Sequence, residues 1–183
     1  MTITQFILQC IYFMLPAYFA NMAPVIFRKR FKFLAKPLDL GRTYLGKRIF
    51  GDNKTLRGLV MGIIFAVVIT FIQNLLKDNA FFYYLTLPGL DYSLWLPLGI
   101  LMGFGAIIGD AAESFFKRRL NKKPGTPFVP FDQTDFVIGA IVFVNLVYIP
   151  KWYVFISVLV ISFILHFLVN HTAFYLGIRK EKW

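Results

Sequence analysis

Four acids and a dense set of cations share one stretch of this sequence. From Gly109 to Phe136 it reads GDAAESFFKRRLNKKPGTPFVPFDQTDF, with Asp110, Glu113, Asp132 and Asp135 around Ser114, Lys117, Arg118 and Arg119. Asp110, Glu113 or Ser114, and Lys117 follow at intervals of three or four, so a helix through them puts them on one face. Asp132 and Asp135 are three apart and share a face if a helix starts there, where carboxylates suit the positive end of the helix dipole. Carboxylate oxygens are the natural ligands of Mg²⁺, which keeps several waters and shares phosphate oxygens. Lys and Arg neutralise the rest of a polyphosphate. Arg118, Arg119 and Lys123, taken singly, serve equally well as solvated charges that orient a membrane protein. Asp110, Asp132 and Asp135 are not needed for that purpose, and Asp110 closes an apolar run, where an acid points to function.

A second polar stretch, GDNKTLRG at residues 51–58, lies between two long apolar runs. Lys54, Thr55 and Arg57, together with the free N–H groups at a helix start, suit phosphate. The stretch is not a Walker A loop. Gly46 and Gly51 have the right separation, but Asp52 and Asn53 stand where Lys and Ser or Thr are needed. Gly103, Gly105 and Gly109 do not match a dinucleotide fingerprint. They sit in an apolar run, where small residues serve close helix packing. His166 and His171 are five apart, a poor spacing for one metal on a helix face, and read as packing residues. Cys10 is the single cysteine, which excludes an internal disulfide and a cysteine metal site.

The elements that must carry these residues are membrane helices. The 183 residues are 58% hydrophobic and only 16% charged, with a mean hydropathy of +0.65. A soluble domain has about a quarter of its residues charged. A span needs about 20 mostly apolar residues. The expectation is a single membrane-embedded, all-α domain over residues 1–183 with five transmembrane helices, near 2–27, 58–76, 93–112, 136–149 and 152–178. Pro16 and Pro24 are expected kinks in the first, which reads as a retained span rather than a secretory signal. The fourth span is short and is able to start earlier, near Asp132, while the third helix continues to about Leu120. The formal charge of +11 is concentrated in the loops. Residues 28–57 carry ten basic residues against Asp39 and Asp52, and residues 113–135 carry Lys117, Arg118, Arg119, Lys122 and Lys123. Residues 77–92 have only Lys77, against Asp78 and Asp91, while Arg179, Lys180 and Lys182 mark the tail. Lys and Arg mark the cytoplasmic side, which predicts the N-terminus outside, the C-terminus in the cytoplasm and loops 28–57 and 113–135 together at the cytoplasmic face of the cell membrane.

At this point the motifs resemble a known family. Ser114-Phe115-Phe116-Lys117-Arg118, then Asp132-Gln133-Thr134-Asp135, resembles the S-x-x-K-R, loop, D-R-x-D signature of the phosphatidate cytidylyltransferases. The similarity is closer to their archaeal branch, the CDP-archaeol synthases, which are small and have about five spans. That branch has NKTxRG (Asn53 to Gly58), GDxxxSFxKRR (Gly109 to Arg119), DQxDF (Asp132 to Phe136) and PAYxANMxPV (Pro16 to Val25). The loop KKPGTPFVPF and Gln133 depart from the bacterial pattern and favour the archaeal one. The resemblance implies a reaction of CTP with an isoprenoid ether-lipid phosphate (unsaturated archaetidic acid) to give CDP-archaeol and pyrophosphate. It implies Mg²⁺ on Asp110, Asp132 and Asp135, with Lys117 completing the catalytic set. It implies phosphate neutralisation by Lys54, Arg57, Lys117, Arg118 and Arg119, and orientation of phosphate or cytosine by Asn53, Thr55 and Ser114. A phosphomonoester loses its second proton near pH 6, so no general base is required. Partners would be CTP, the lipid and the bilayer, with no nucleic acid. Two rivals stand beside this reading: a CTP-dependent polyprenol or lipid-alcohol kinase, whose alcohol nucleophile favours a general base, and an anion transporter, whose charges would line a path across the bilayer. The residues alone reach as far as a membrane enzyme or binder that uses Mg²⁺ and a nucleotide.

Overall fold

The computed structural model describes residues 2–123 and 126–175. The basic tail residues Arg179, Lys180 and Lys182, and the helix break expected at Pro124 and Gly125, lie outside the described residues. Six helices follow in chain order: α1 (Ile3–Ile26), α2 (Leu56–Leu76), the short α3 (Ala80–Tyr84), α4 (Trp95–Arg119), α5 (Phe131–Val144) and α6 (Trp152–Tyr175). Helix α4 is central and packs against α1, α2 and α5, while α6 closes the other side on α1 and α5.

Helix α1 starts where the Thr2 hydroxyl accepts the Gln5 N–H (3.2 Å), and α2 where the Thr55 hydroxyl accepts the Gly58 N–H (3.2 Å). Helix α2 is turned inside out relative to a helix in water. Thr70 and Gln73 face inward, while Ile64, Val68, Phe71, Ile72 and Leu75 are exposed. The Gln73 amide donates to the Tyr12 carbonyl (2.7 Å) and so ties α2 to α1. Apolar outside and polar at the helix contacts is the arrangement lipid demands.

Among the described residues, four helices are long and apolar enough to cross a membrane: Ile3–Ile26, Leu56–Leu76, Tyr92–Arg119 and Trp152–Thr172. These coincide with four of the five expected spans. The fourth expected span differs. Helix α5 has 14 residues, about 21 Å of rise, against a hydrocarbon core of about 30 Å. It also begins and ends earlier than the expected 136–149. Pro130 sets its start, and the apolar run after Val144 continues as turns, with Val147 and Tyr148 N–H groups donating to the Val144 carbonyl (2.9 and 2.8 Å). Pro150 then disfavours helix at Ile149. An apolar run cannot by itself distinguish helix from turn.

The tightest contact in the bundle lies between α4 and α5. A Cβ at Gly105 would collide with the Gly139 backbone, and one at Gly109 with the Asp135 backbone. The helices therefore meet main chain to main chain. Asp110 follows Gly109, and Asp135 is the residue whose backbone Gly109 meets.

The 28–57 segment also has structure that was not expected. Strands β1 (Thr43–Tyr44) and β2 (Lys47–Arg48) pair antiparallel, with Thr43 opposite Arg48 and Tyr44 opposite Lys47. Leu45 and Gly46, at φ of 50° and 72°, close a two-residue turn. The base of this loop is pinned by main-chain bonds from Leu38 N–H to Lys54 O and from Leu56 N–H to Lys36 O, both 2.8 Å.

Candidate active site

The polar segments 28–57 and 113–135 meet at one end of the bundle. Asp110 and Glu113 sit one turn apart on α4, and Asp135 faces them from the first turns of α5. One carboxylate oxygen from each lies within 4.8 Å of the other two. An ion pair from Lys54 reaches across from the first segment to Asp110 (2.5 Å). Beside it, Lys117 is buried between Glu113 (2.9 Å) and Asp132, with which it also forms an ion pair. The other Asp132 oxygen accepts the Phe128 N–H (2.6 Å). Burial acts to raise Asp132, but the Lys117 ammonium and the Phe128 N–H prevail and hold it below the ordinary carboxylate range. Among the described residues Asp135 has no ion pair, and its carboxylate accepts only the N–H of Phe136 (2.6 Å).

Three carboxylates at this spacing repel by about 3 kcal/mol per ionised pair at an effective dielectric of about 20. Lys54 offsets only part of this. The donor set is all hard oxygen, which suits Mg²⁺, and an octahedral ion places opposite ligand oxygens about 4.2 Å apart. Adjacent oxygens of such an ion are about 3.0 Å apart, so the three carboxylates could hold a divalent cation on drawing in by up to about 2 Å. It differs from the set expected from sequence in one member: Glu113 stands with Asp110 and Asp135, and Asp132 is engaged by Lys117. The three-residue spacing of Asp110 and Glu113 is the signal that marks Glu113.

The remaining expected residues divide. Asn53 is exposed beside Lys54. Ser114 is buried on α4. Thr55 uses its hydroxyl to cap α2. Arg57 is buried and donates to the Arg30 carbonyl (3.0 Å). Arg118 is half-buried, with its Nε enclosed. Arg119 donates to the Arg48 carbonyl (2.9 Å) and packs against the Phe115 and Tyr44 rings, and among the described residues it forms no ion pair with the carboxylates.

Sequence reasoning passed over Asp39 as a bare loop charge. Its side chain is fully enclosed, and it accepts from the N–H groups of Gly41, Phe50 and Gly51 (3.0 Å each) and from Arg48 (2.6 and 3.3 Å). Burial acts to raise Asp39, but Arg48 and the three amides together hold it well below the usual carboxylate range.

A cavity of about 560 Å³ opens beside the cluster between α4 and α5. Glu113 and Asp135 line its polar end, and Ile108, Phe116, Leu120, Phe131, Ile138 and Val142 line the rest. The wall is open on the outer side, where Phe116 and Leu120 are each 59% exposed. The volume lies within the range of about 300–1,000 Å³ usual for organic ligands. An acidic cluster thus faces cations on one side and an apolar groove on the other, an arrangement able to place a polyphosphate against a lipid headgroup.

Comparison with known proteins agrees with this geometry. The family described as CarS-like CDP-archaeol synthase matches residues 3–183. The CDP-archaeol synthase of Methanosarcina barkeri is 38% identical over 93% of this chain and 100% of its own length. That of Pyrococcus furiosus is 38% identical over 97% and 98%, and that of Methanocaldococcus jannaschii 36% over 94% and 95%. A solved structure described as an intramembrane enzyme for archaeal membrane lipid biosynthesis superposes with a TM-score of 0.72 at 31% identity, covering 87% of this chain and 91% of that one. With matches along nearly its whole length in both sequence and structure, the chain belongs to the CDP-archaeol synthase family.

Proposed function

We propose that this protein transfers the cytidylyl group of CTP to unsaturated archaetidic acid, an ether-lipid phosphate, releasing pyrophosphate and leaving CDP-archaeol in the membrane. The observation that carries this reading is the carboxylate cluster at the polar end of an apolar cavity open to the side. Family membership supports the same reaction.

The chemistry follows from what each residue holds. The lipid lies in the α4–α5 groove with its phosphate toward Glu113 and Asp135. A phosphate oxygen of the lipid attacks the α-phosphorus of CTP. The bond from that phosphorus to the bridging oxygen of the β-phosphate breaks, and pyrophosphate leaves with the bonding electrons. The attacking oxygen is already ionised at neutral pH, so no proton need be removed. Positioning and charge stabilisation do the rest. Lys54 and Lys117 are the cations nearest the cluster, and Arg118 lies one residue beyond. They neutralise the phosphates, and Asn53 and Ser114 orient phosphate or cytosine. Thr55 and Arg57 contribute by fixing the start of α2 directly after Lys54. Asp110, Glu113 and Asp135, with Asp132 adjacent, would hold Mg²⁺, which supplies charge neutralisation to the triphosphate and the leaving group when bound.

The basic segments support an orientation with this site at the cytoplasmic face of the cell membrane, where CTP is dissolved. Helix α5 then makes a fifth, partial crossing shielded by α4 and α6, with the N-terminus outside. The test uses purified protein in detergent with labelled CTP, unsaturated archaetidic acid and Mg²⁺. CDP-lipid and pyrophosphate should form together, and Asp135→Asn should lower both by roughly 10²–10³-fold. Transfer of only the terminal phosphate, to a lipid alcohol, would instead establish a kinase. No CTP binding or turnover with any lipid would end the enzymatic reading.

A further inference from the structure

The two polar segments must be brought together for this site to exist, and apart from the Lys54–Asp110 ion pair the contacts that join them involve no residue of the carboxylate cluster. The Asp39 carboxylate has its lone pairs filled by three loop amides and Arg48. Those donors come from both sides of the β-hairpin, so one enclosed carboxylate folds the loop around itself. Next to it, the Leu38 N–H binds the carbonyl of Lys54 (2.8 Å). The hairpin is in turn docked on the end of α4 by reciprocal bonds: Lys47 Nζ to the Arg119 carbonyl (3.1 Å), and Arg119 to the Arg48 carbonyl (2.9 Å). The Arg119 guanidinium lies 4.2 Å from the Phe115 ring centre and 5.2 Å from that of Tyr44, and these two rings stack. Its Nε and Nη2 are enclosed rather than open to solvent. The guanidinium thus packs against the edge of this ring pair while it binds the hairpin carbonyl, and so clamps the hairpin to α4.

We propose that Asp39 and Arg119 are positioning residues for Lys54: Asp39 folds the 37–55 loop around its carboxylate, and Arg119 clamps that loop to the end of α4. Lys54 is thereby delivered to Asp110. Arg119 thus takes a structural place instead of the phosphate contact its type and neighbours suggest. The proposal rests on the reading that Lys54 belongs to the CTP site.

The test follows two readouts on the purified full chain in detergent: amide hydrogen exchange of residues 36–56 without nucleotide, and KM for CTP against KM for the lipid phosphate. In Asp39→Asn the Gly41, Phe50 and Gly51 amides should exchange roughly ten-fold faster or more. KM for CTP should rise roughly ten-fold, the effect of about one charged hydrogen bond, with the lipid KM unchanged. Tyr44→Ala and Arg119→Ala should each raise the CTP KM, the double variant should be no worse than the poorer single one, and Tyr44→Phe should behave as wild type. If Asp39→Asn does not fold, the Tyr44 and Arg119 variants decide the matter. An unchanged CTP KM in Tyr44→Ala beside a raised one in Arg119→Ala, with exchange unaltered in both, would make Arg119 a direct phosphate ligand and overturn the proposal. Should the wild-type chain fail to turn over CTP, the proposed function falls, while the exchange data still decide whether these residues hold the loop.

Discussion

Asp39, fully enclosed, and Asp135, half-buried at the cavity wall, are carboxylates at the same end of the molecule, and they are treated in opposite ways. Asp39 has every lone pair met by an amide or a guanidinium. Asp135 has one backbone N–H and faces two other acids. A carboxylate whose needs are met by the protein holds the protein together. One left short of positive charge among its own kind is placed for a partner from outside. The more deeply buried of the two is the one whose donors are all supplied, so it is the supply of donors that tells architecture from site.

The sharpest way to break this comparison is to neutralise each acid. Asp135→Asn should lower CDP-lipid formation by roughly 10²–10³-fold, the usual loss for one preorganised electrostatic contact. It should leave the melting temperature unchanged or raised, because it removes repulsion. A clear drop in melting temperature would place Asp135 with Asp39 as architecture. Lys117→Met should do the reverse of Asp135→Asn in stability. Removing the cation between Glu113 and Asp132 leaves two acids uncompensated, at about 3–5 kcal/mol when such a pair is buried, read as a lowered melting temperature. A smaller effect comes from the ion itself. Mg²⁺ at about ten times its dissociation constant should stabilise the wild-type protein by about 1.4 kcal/mol, and Asp135→Asn should lose that shift. Equal shifts in both would disconnect the cluster from the metal.

The weakest effect is in pH. The folded-state value of Asp39 is depressed, so its contribution is fully present above the unfolded value of about 3.9. It is lost only as pH falls below that toward the folded value. Intrinsic-rate-corrected exchange of the Gly41, Phe50 and Gly51 amides should therefore be flat from pH 8 to pH 5. A rise across that window would mean that Asp39 is not held ionised by its neighbours.

Much of this was legible in the residues. Four spans could be read because long apolar runs have one viable structure in lipid, and their loops showed the charge bias. Asp110, Lys117 and Asp135 stood out in the sequence as candidates because acids and lysines at the edge of apolar runs are expensive, and the structure brings them to one end of the bundle. Glu113 was on the same helical face, but whether it or Asp132 joins Asp110 depends on how far α5 rotates against α4, which no spacing reports. The hairpin at 43–48 was hidden because two-residue strands leave no period to detect. Asp39 was hidden because its meaning lies in amides brought from residues 41, 50 and 51. The short extent of α5 was missed because apolar turns and apolar helix share a composition.

At the seam of α4 and α5, glycine backbones touch at Gly105, Gly109 and Gly139. Main-chain atoms have no rotamers to shift, so the gap between the two helices is a fixed gauge, set by atomic radii. A lipid is able to spread the far end of the groove, where Val142 and Phe143 line it, much as a wedge opens the tip of a pair of tongs. At the rivet the jaws keep their spacing. The carboxylates sit at that rivet beside Gly109, so filling the groove is expected to leave the distance between Asp110 and Asp135 unchanged.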